Sequence, residues 1–117
     1  MQYIFVRIPS WSRLFVLGCI ISCGPTVDPA VVAAVIELEG SIEQGRLLFN
    51  SECALCHDED GSGKEIGPDI RQEITKISDT QLVNLVLGGS GQMLPLDFTP
   101  QQMADVLAYV RQKFPTP

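Results

Sequence analysis

The chain has 117 residues and a formal net charge of −6, with fourteen Asp and Glu against eight Lys and Arg. This length is enough for one small domain. Proteins that bind nucleic acid neutralise its phosphates with basic side chains, so an acidic chain of this kind excludes nucleic acid as a natural partner.

The amino-terminal segment has the layout of a secretory signal. Two arginines precede an apolar run, residues 14–21, that is too short to span a bilayer comfortably. Ile20-Ile21-Ser22-Cys23 resembles a bacterial lipobox, in which cleavage before the cysteine leaves that cysteine acylated. We expect residues 1–22 to be a lipoprotein signal peptide and Cys23 to carry the lipid. Val16-Leu17-Gly18-Cys19 is a weaker second choice, and an ordinary signal peptide or an uncleaved anchor are the alternatives.

Residues 23–40 then form a tether between this anchor and the rest of the chain. Asp28-Pro29 is a typical helix opening and Gly40 a typical end, which predicts a helix in the tether with Val31, Val32, Val35 and Ile36 on one side. An apolar tether is unusual for a lipoprotein. The segment either packs on the domain that follows, residues 41–117, or docks on another subunit.

Three later positions carry the Ser/Thr-x-x-Gln spacing of a capping box, which marks the start of a helix. The pairs are Ser41 with Gln44, Ser78 with Gln81, and Thr99 with Gln102. The second and third boxes add hydrophobic staples, Ile77 with Leu82 and Phe98 with Met103.

Other signals agree with a helical domain. Pro100 falls at the first position of the last helix, where its missing N–H is not needed. Gly88 and Gly89 are suited to end the middle helix. Outside the amino-terminal region no stretch has convincing strand alternation, so the predicted fold class is all-α.

Cys53-Ala54-Leu55-Cys56-His57 has the C-x-x-C-H spacing of c-type haem attachment. Each thiol would add across one vinyl group of haem, and the adjacent imidazole of His57 would ligate the iron. A redox dithiol would need a βαβ context that the sequence lacks. A structural zinc site would need three or four ligands, and His57 is the only histidine. With Cys23 assigned to lipid, and Cys53 and Cys56 to haem, the mature chain has no thiol left over.

The sequence around this motif resembles class I cytochromes c over about residues 40–114. Gly45 and Phe49 precede the first cysteine in a G-x3-[F/Y]-x3-C frame, and Gly67-Pro68 matches the family's G-P-x-[L/I]. The resemblance implies that the glycine and the aromatic lie at a crossing of the first and last helices. It also implies that the Pro68 carbonyl accepts a hydrogen bond from the non-ligating nitrogen of His57, which would fix the imidazole. The implied architecture is three to four helices around one covalently bound haem.

The second axial ligand is expected to be Met93. It lies in a glycine-rich segment, residues 88–95, and the resemblance places the ligand methionine in such a loop, often close to a proline. Met103, the other methionine besides the initiator, is explained by its place on an apolar helix face. The alternative for Met93 is a core position beside an open haem, which would make the protein a gas binder or sensor.

The predicted function is one-electron transfer by haem c with His57–Met93 ligation. The protein would be exported, in a periplasmic or membrane-surface chain, and held to the membrane as a lipoprotein. Without Arg7 and Arg13 the mature chain has six Lys and Arg against fourteen Asp and Glu, a net charge of −8. Its redox partners should therefore offer a basic or an apolar docking face. An accessory haem subunit of a membrane oxidoreductase is an alternative. No acid, base and nucleophile cluster accompanies the haem motif, so an enzyme is not expected.

Overall fold

The structure, a computed structural model, describes residues 26–116. This part of the chain contains four helical runs. The α-helices are α1 (Pro29–Glu37), α2 (Ile42–Leu48), α3 (Ala54–His57), α4 (Asp79–Gly88) and α5 (Pro100–Lys113). A π-helical turn, Phe49–Cys53, joins α2 and α3 into one run, and a 3₁₀ turn covers Glu73–Thr75. Over residues 26–116 the only β-type pairing is an isolated bridge between Ser90 and Met93. The predicted all-α fold is confirmed.

Two of the three predicted capping boxes are complete. The Ser78 Oγ accepts from the Gln81 N–H at 3.2 Å, and the Gln81 side chain accepts from the Ser78 N–H at 2.8 Å. Thr99 and Gln102 exchange the same pair of bonds before Pro100 begins α5. These bonds satisfy N–H groups that have no partner within the helix.

The prediction of a full box at Ser41 is wrong. Its Oγ does accept from the Gln44 N–H, at 3.3 Å. The Ser41 N–H, however, donates to Asp105 Oδ1 of α5 at 2.7 Å instead of to the Gln44 side chain. A tertiary contact has replaced the local one.

The crossing of α2 and α5 lies at the centre of the fold. A Cβ at Gly45 would overlap the Asp105 carbonyl oxygen, so only glycine permits this approach of the two backbones. Beside the crossing, the Phe49 and Tyr109 rings are buried with their centroids 5.5 Å apart. Gly40 makes a second close approach, against Ala104. The crossing implied by the resemblance is present, and Gly40 extends it.

Helix α1 packs against α4 and α5. The sequence left undecided whether this segment packs on the domain that follows, and in the structure it does. Asp28 caps it by accepting from the Ala30 N–H at 2.8 Å, and Val32 and Val35 are buried. The helix ends at Glu37, before Gly40. Among the helices of residues 26–116, none combines the length and apolar character that a membrane crossing requires.

Candidate haem site

The C-x-x-C-H motif lies at the end of the α2–α3 run. Cys53 ends the π-helical turn, and Cys56 and His57 form the last residues of α3, so both thiols and the imidazole project from consecutive helical turns. All three side chains are half-buried. The short helix therefore presents two thiols and a ring nitrogen from one compact piece of backbone, which is the arrangement that covalent attachment and axial ligation need.

The orientation of His57 is set from outside its helix. Its Nδ1 lies 2.8 Å from the Pro68 carbonyl oxygen. Because that oxygen can only accept, Nδ1 is the nitrogen that donates, and in the neutral ring the lone pair is then on Nε2. A neutral imidazole with a free Nε2 lone pair is able to bind a metal ion.

The loop between His57 and Pro68 turns back on itself, so that Pro68 lies beside the imidazole of His57. Gly61 and Gly63 have φ of 78° and 89°, in the left-handed region that favours glycine. The Gly63 N–H donates to the His57 carbonyl at 2.8 Å. Gly67 lies so close to Cys56 that a Cβ there would fall 2.6 Å from the Cys56 carbonyl oxygen. The glycine before Pro68 thus lets this proline approach the haem-attachment helix.

Lys64 contacts the same helix, and this contact was not predicted from the sequence. Its Nζ donates to the Ala54 carbonyl oxygen at 3.0 Å and lies 4.0 Å from Asp58 Oδ1. The Ala54 carbonyl oxygen also accepts from the Asp58 N–H at 3.0 Å, so Lys64 adds a second, charged donor to an oxygen that has two lone pairs. The sequence carries no motif for this contact, since any lysine in the loop would serve.

The two thiols of the described chain are free. Burial raises the pKa of Cys53 to about 11, and the nearby Glu52 carboxylate adds to the shift. A thiol with a raised pKa holds little thiolate at neutral pH, whereas a reactive redox cysteine needs a lowered pKa. This environment argues against the redox-dithiol alternative. No group of three or more His, Cys, Asp or Glu side chains within residues 26–116 is placed to hold a metal ion.

Met93 lies in a tight turn after α4. It exchanges backbone hydrogen bonds of 3.0 and 2.9 Å with Ser90, and the turn leaves α4 through Gly89, whose φ is 72°. The Met93 side chain is half-buried and packs against the hydrophobic core. Met103 is fully buried on α5, in agreement with its expected core position. Cys23 lies outside the described residues.

The donor set of these segments fits a c-type haem. Two free thiols with two residues between them, an adjacent imidazole and a thioether in a separate loop are the groups that such a haem takes. The fold and these features define the class of the protein, a class I c-type cytochrome.

Comparisons with known proteins agree. Residues 40–110 match the family described as cytochrome c oxidase, cbb3-type, subunit III, and the chain belongs to this family of cytochrome c domains. A cytochrome c-553-like protein of Synechocystis sp. is 33% identical over 85 residues, which cover 72% of this chain and 79% of that protein. Membership implies a covalently bound c-type haem, and Cys53 and Cys56 fit its C-x-x-C-H motif. Such proteins are electron carriers, in general not enzymes, and typically exported.

Two solved structures have a similar fold. Cytochrome cL from the marine methylotrophic bacterium Methylophaga aminisulfidivorans MPT is 27% identical, with a TM-score of 0.53 over 61% of this chain. Cytochrome cL from Hyphomicrobium denitrificans is 28% identical, with a TM-score of 0.52 over 73% of this chain. The match spans 51% of each of these longer proteins. The predicted cytochrome c fold is confirmed.

Proposed function

We propose that this protein is a one-electron carrier in which Cys53 and Cys56 hold haem c and His57 and Met93 ligate its iron. The 2.8 Å contact between His57 Nδ1 and the Pro68 carbonyl is the observation that carries the proposal. It holds one ring nitrogen and leaves the other available in a fixed direction, as is usual for metal-bound histidines.

The remaining residues have roles that follow from this contact. Lys64 and Gly67 hold the attachment helix and the Pro68 segment together, so that the imidazole does not reorient when the charge of the site changes. Met93 supplies a neutral thioether from a turn that its own backbone bonds stabilise. When bound, haem c supplies a single-electron couple, and a methionine ligand raises its reduction potential relative to a second imidazole.

The proposal includes the cellular setting. Cleavage before Cys23 and acylation of that residue would hold the protein on the periplasmic side of a membrane. The mature chain would carry a net charge of −8, so a donor or acceptor with a basic docking face would be attracted over a distance. An apolar docking face is the alternative, because Leu55, Ile66 and Leu94 are exposed and lie within two residues of Cys56, Pro68 and Met93 respectively.

The test of the ligand set is the optical spectrum of the holoprotein. We expect the oxidised protein to show the weak long-wavelength band of a sulfur–iron bond. Met93→Leu should lose this band and bind carbon monoxide rapidly when reduced, whereas Met103→Leu, a substitution of similar volume in the core, should keep it. A high-spin wild-type spectrum without the band would contradict the proposal and favour a ligand sensor.

A second candidate is an accessory haem subunit of a membrane oxidoreductase. It is favoured by the family match over residues 40–110, whose description names a subunit of cytochrome c oxidase. The site would perform the same chemistry inside a complex. Stoichiometric copurification with an oxidoreductase from detergent extracts would support the subunit, and purification as a single haem protein would support the independent carrier.

A further inference from the structure

Helix α1 is apolar except for its last residue, Glu37, although one of its faces lies at the surface. Eight consecutive residues, Pro29 to Ile36, carry no polar side chain. Val32 and Val35 fill the inner face, but Pro29, Ala30, Ala33 and Ile36 on the outer face are exposed. A helix with eight apolar residues in succession is normally covered on most of its sides, by protein or by lipid.

The surface around α1 is mixed on one side, where a groove that takes in Pro29, Ala33 and Ile36 is also lined by Glu37, Thr80 and Asn84. A second groove beside the helix is lined mainly by apolar side chains, among them Val27, Val31, Leu87, Leu96 and Phe98. Just beyond the carboxyl end of α1, Leu38 and Ile42 are 40% and 43% exposed, close to the 42% of Ile36. The outer face of α1, Leu38 and Ile42 together expose several apolar side chains within one short stretch of chain, and exposed apolar side chains in such number mark a contact with a protein or a membrane.

We propose that the outer face of α1 rests on the lipid bilayer. This inference depends on the proposed acylation of Cys23. Six residue steps separate Cys23 from Pro29, so even a fully extended chain holds the start of α1 within about 20 Å of the lipidated residue. A tether this short keeps α1 closer to the membrane than any other described element. The face that α1 exposes there is largely apolar.

Charge defines the lipid that suits this contact. Glu37 and Glu39 follow the apolar stretch and are both exposed, and no basic residue lies between residues 26 and 45. The contact therefore gains nothing from anionic headgroups and rests on apolar burial alone, in contrast to the common basic amphipathic helix. It should form on neutral phosphatidylcholine bilayers.

The test uses the mature holoprotein with a single introduced thiol. Cys23, Cys53 and Cys56 would all be in thioether bonds, so a cysteine at position 33 would be the only thiol open to a membrane-impermeant maleimide. Ala33→Cys should react about tenfold more slowly on phosphatidylcholine vesicles than in a soluble Cys23→Ser form of the same variant, because lipid shields the apolar face. Gln72→Cys, at an exposed position outside α1, should react equally fast in both forms.

Each other outcome overturns a defined part of the inference. Equal labelling of Ala33→Cys in both forms, with the haem protein still floating with the vesicles, removes the contact of α1 but leaves the anchor intact. Slow labelling already in the soluble form at micromolar concentration means that a second copy of the chain covers α1. Failure of the Cys23 form to float with vesicles removes the anchor and the bilayer contact together, while the electron-carrier assignment is still judged by the Met93 spectrum.

Discussion

Asp105 is the residue that joins the two ends of the haem domain. Its side chain is 7% exposed, and Oδ1 accepts from the Ser41 N–H at 2.7 Å and from Gln101 Nε2 at 2.9 Å. The first bond ties the start of α2 to α5, directly beside the Gly45 crossing. A buried carboxylate without such donors would be costly, so the two bonds and the helix crossing depend on each other.

Removal of this carboxylate should destabilise the fold. We expect Asp105→Ala to lower the free energy of unfolding by about 1–3 kcal/mol, because it removes the charged acceptor that joins the Ser41 N–H to α5, and a local bond from that N–H to Gln44 would not replace this link between the helices. Asp105→Asn keeps one acceptor oxygen and should cost less. Urea unfolding of the holoprotein, followed by the Soret band, measures both. Asp97→Ala, at an exposed position, is the control. An Asp105→Ala variant as stable as this control would show that the bond contributes nothing.

Residue roles were predictable where they depend on short spacings. Gly45, Phe49 and the C-x-x-C-H motif lie within thirteen residues of one another, so their pattern is visible in the sequence. The hydrogen-bond partners of Asp105 and Lys64 could not be predicted in this way. Asp105 is separated from Ser41 by 64 positions, and its carboxylate competes for an N–H that a local capping box would otherwise use. No local pattern reveals which acceptor wins.

At the scale of elements, Arg111 connects the last helix to the segment that leads into α4. It projects from α5 and donates Nη1 to the Ile74 carbonyl, Nη2 to the Ile77 carbonyl and Nε to Asp79 Oδ1, each at 2.7 Å. One guanidinium thereby connects α5 to the 3₁₀ turn and to the first turn of α4. The side chain is only 20% exposed, so these bonds are protected from water better than surface ion pairs are.

Lysine cannot reproduce this connection. We expect Arg111→Lys to lower the free energy of unfolding by about 2 kcal/mol, because one ammonium group cannot reach three acceptors spread across a planar fork. The matched control is Arg46→Lys. Among residues 26–116 Arg46 pairs only with the exposed Glu43, three residues earlier, and Arg46→Lys should cause no measurable change in stability. Thermal unfolding of both variant holoproteins measures the two changes in stability. Equal melting temperatures would mean that Arg111 is replaceable.

The elements themselves were predicted well where their signals are local. The caps at Ser78 and Thr99, Pro100 and Gly89 act within one helical turn, and all lie at helix ends. The π-helical turn Phe49–Cys53 was not foreseen, because no residue pattern separates it from a continuing α-helix. Helix α1 was predicted, but its packing against α4 and α5 was not. An apolar face indicates that something covers it without indicating which element does.

For the molecule as a whole, the protein core is small. Within residues 26–116 the buried hydrophobic side chains number fifteen, and they come mainly from α4 and α5. A domain of about 75 residues is marginal on apolar burial alone. Meanwhile Leu55, Ile66 and Leu94 are 64%, 74% and 78% exposed beside the proposed haem contacts. A large covalently held hydrophobe bound by two axial ligands would supply what this core lacks.

The haem-free chain should therefore be largely unfolded. We expect a Cys53→Ser, Cys56→Ser variant to lose most far-ultraviolet helical signal and to show no cooperative transition in urea, because ligand binding and folding are coupled in such a chain. The wild-type holoprotein is the reference, and Leu55→Ser, which keeps all haem contacts while changing an exposed neighbour, should unfold cooperatively. A haem-free variant with native-level cooperative unfolding would mean that the α2–α5 crossing, Asp105 and Arg111 stabilise the fold by themselves. Loss of cooperativity would instead mean that these contacts only become effective once the haem has brought α3 and the Met93 turn together.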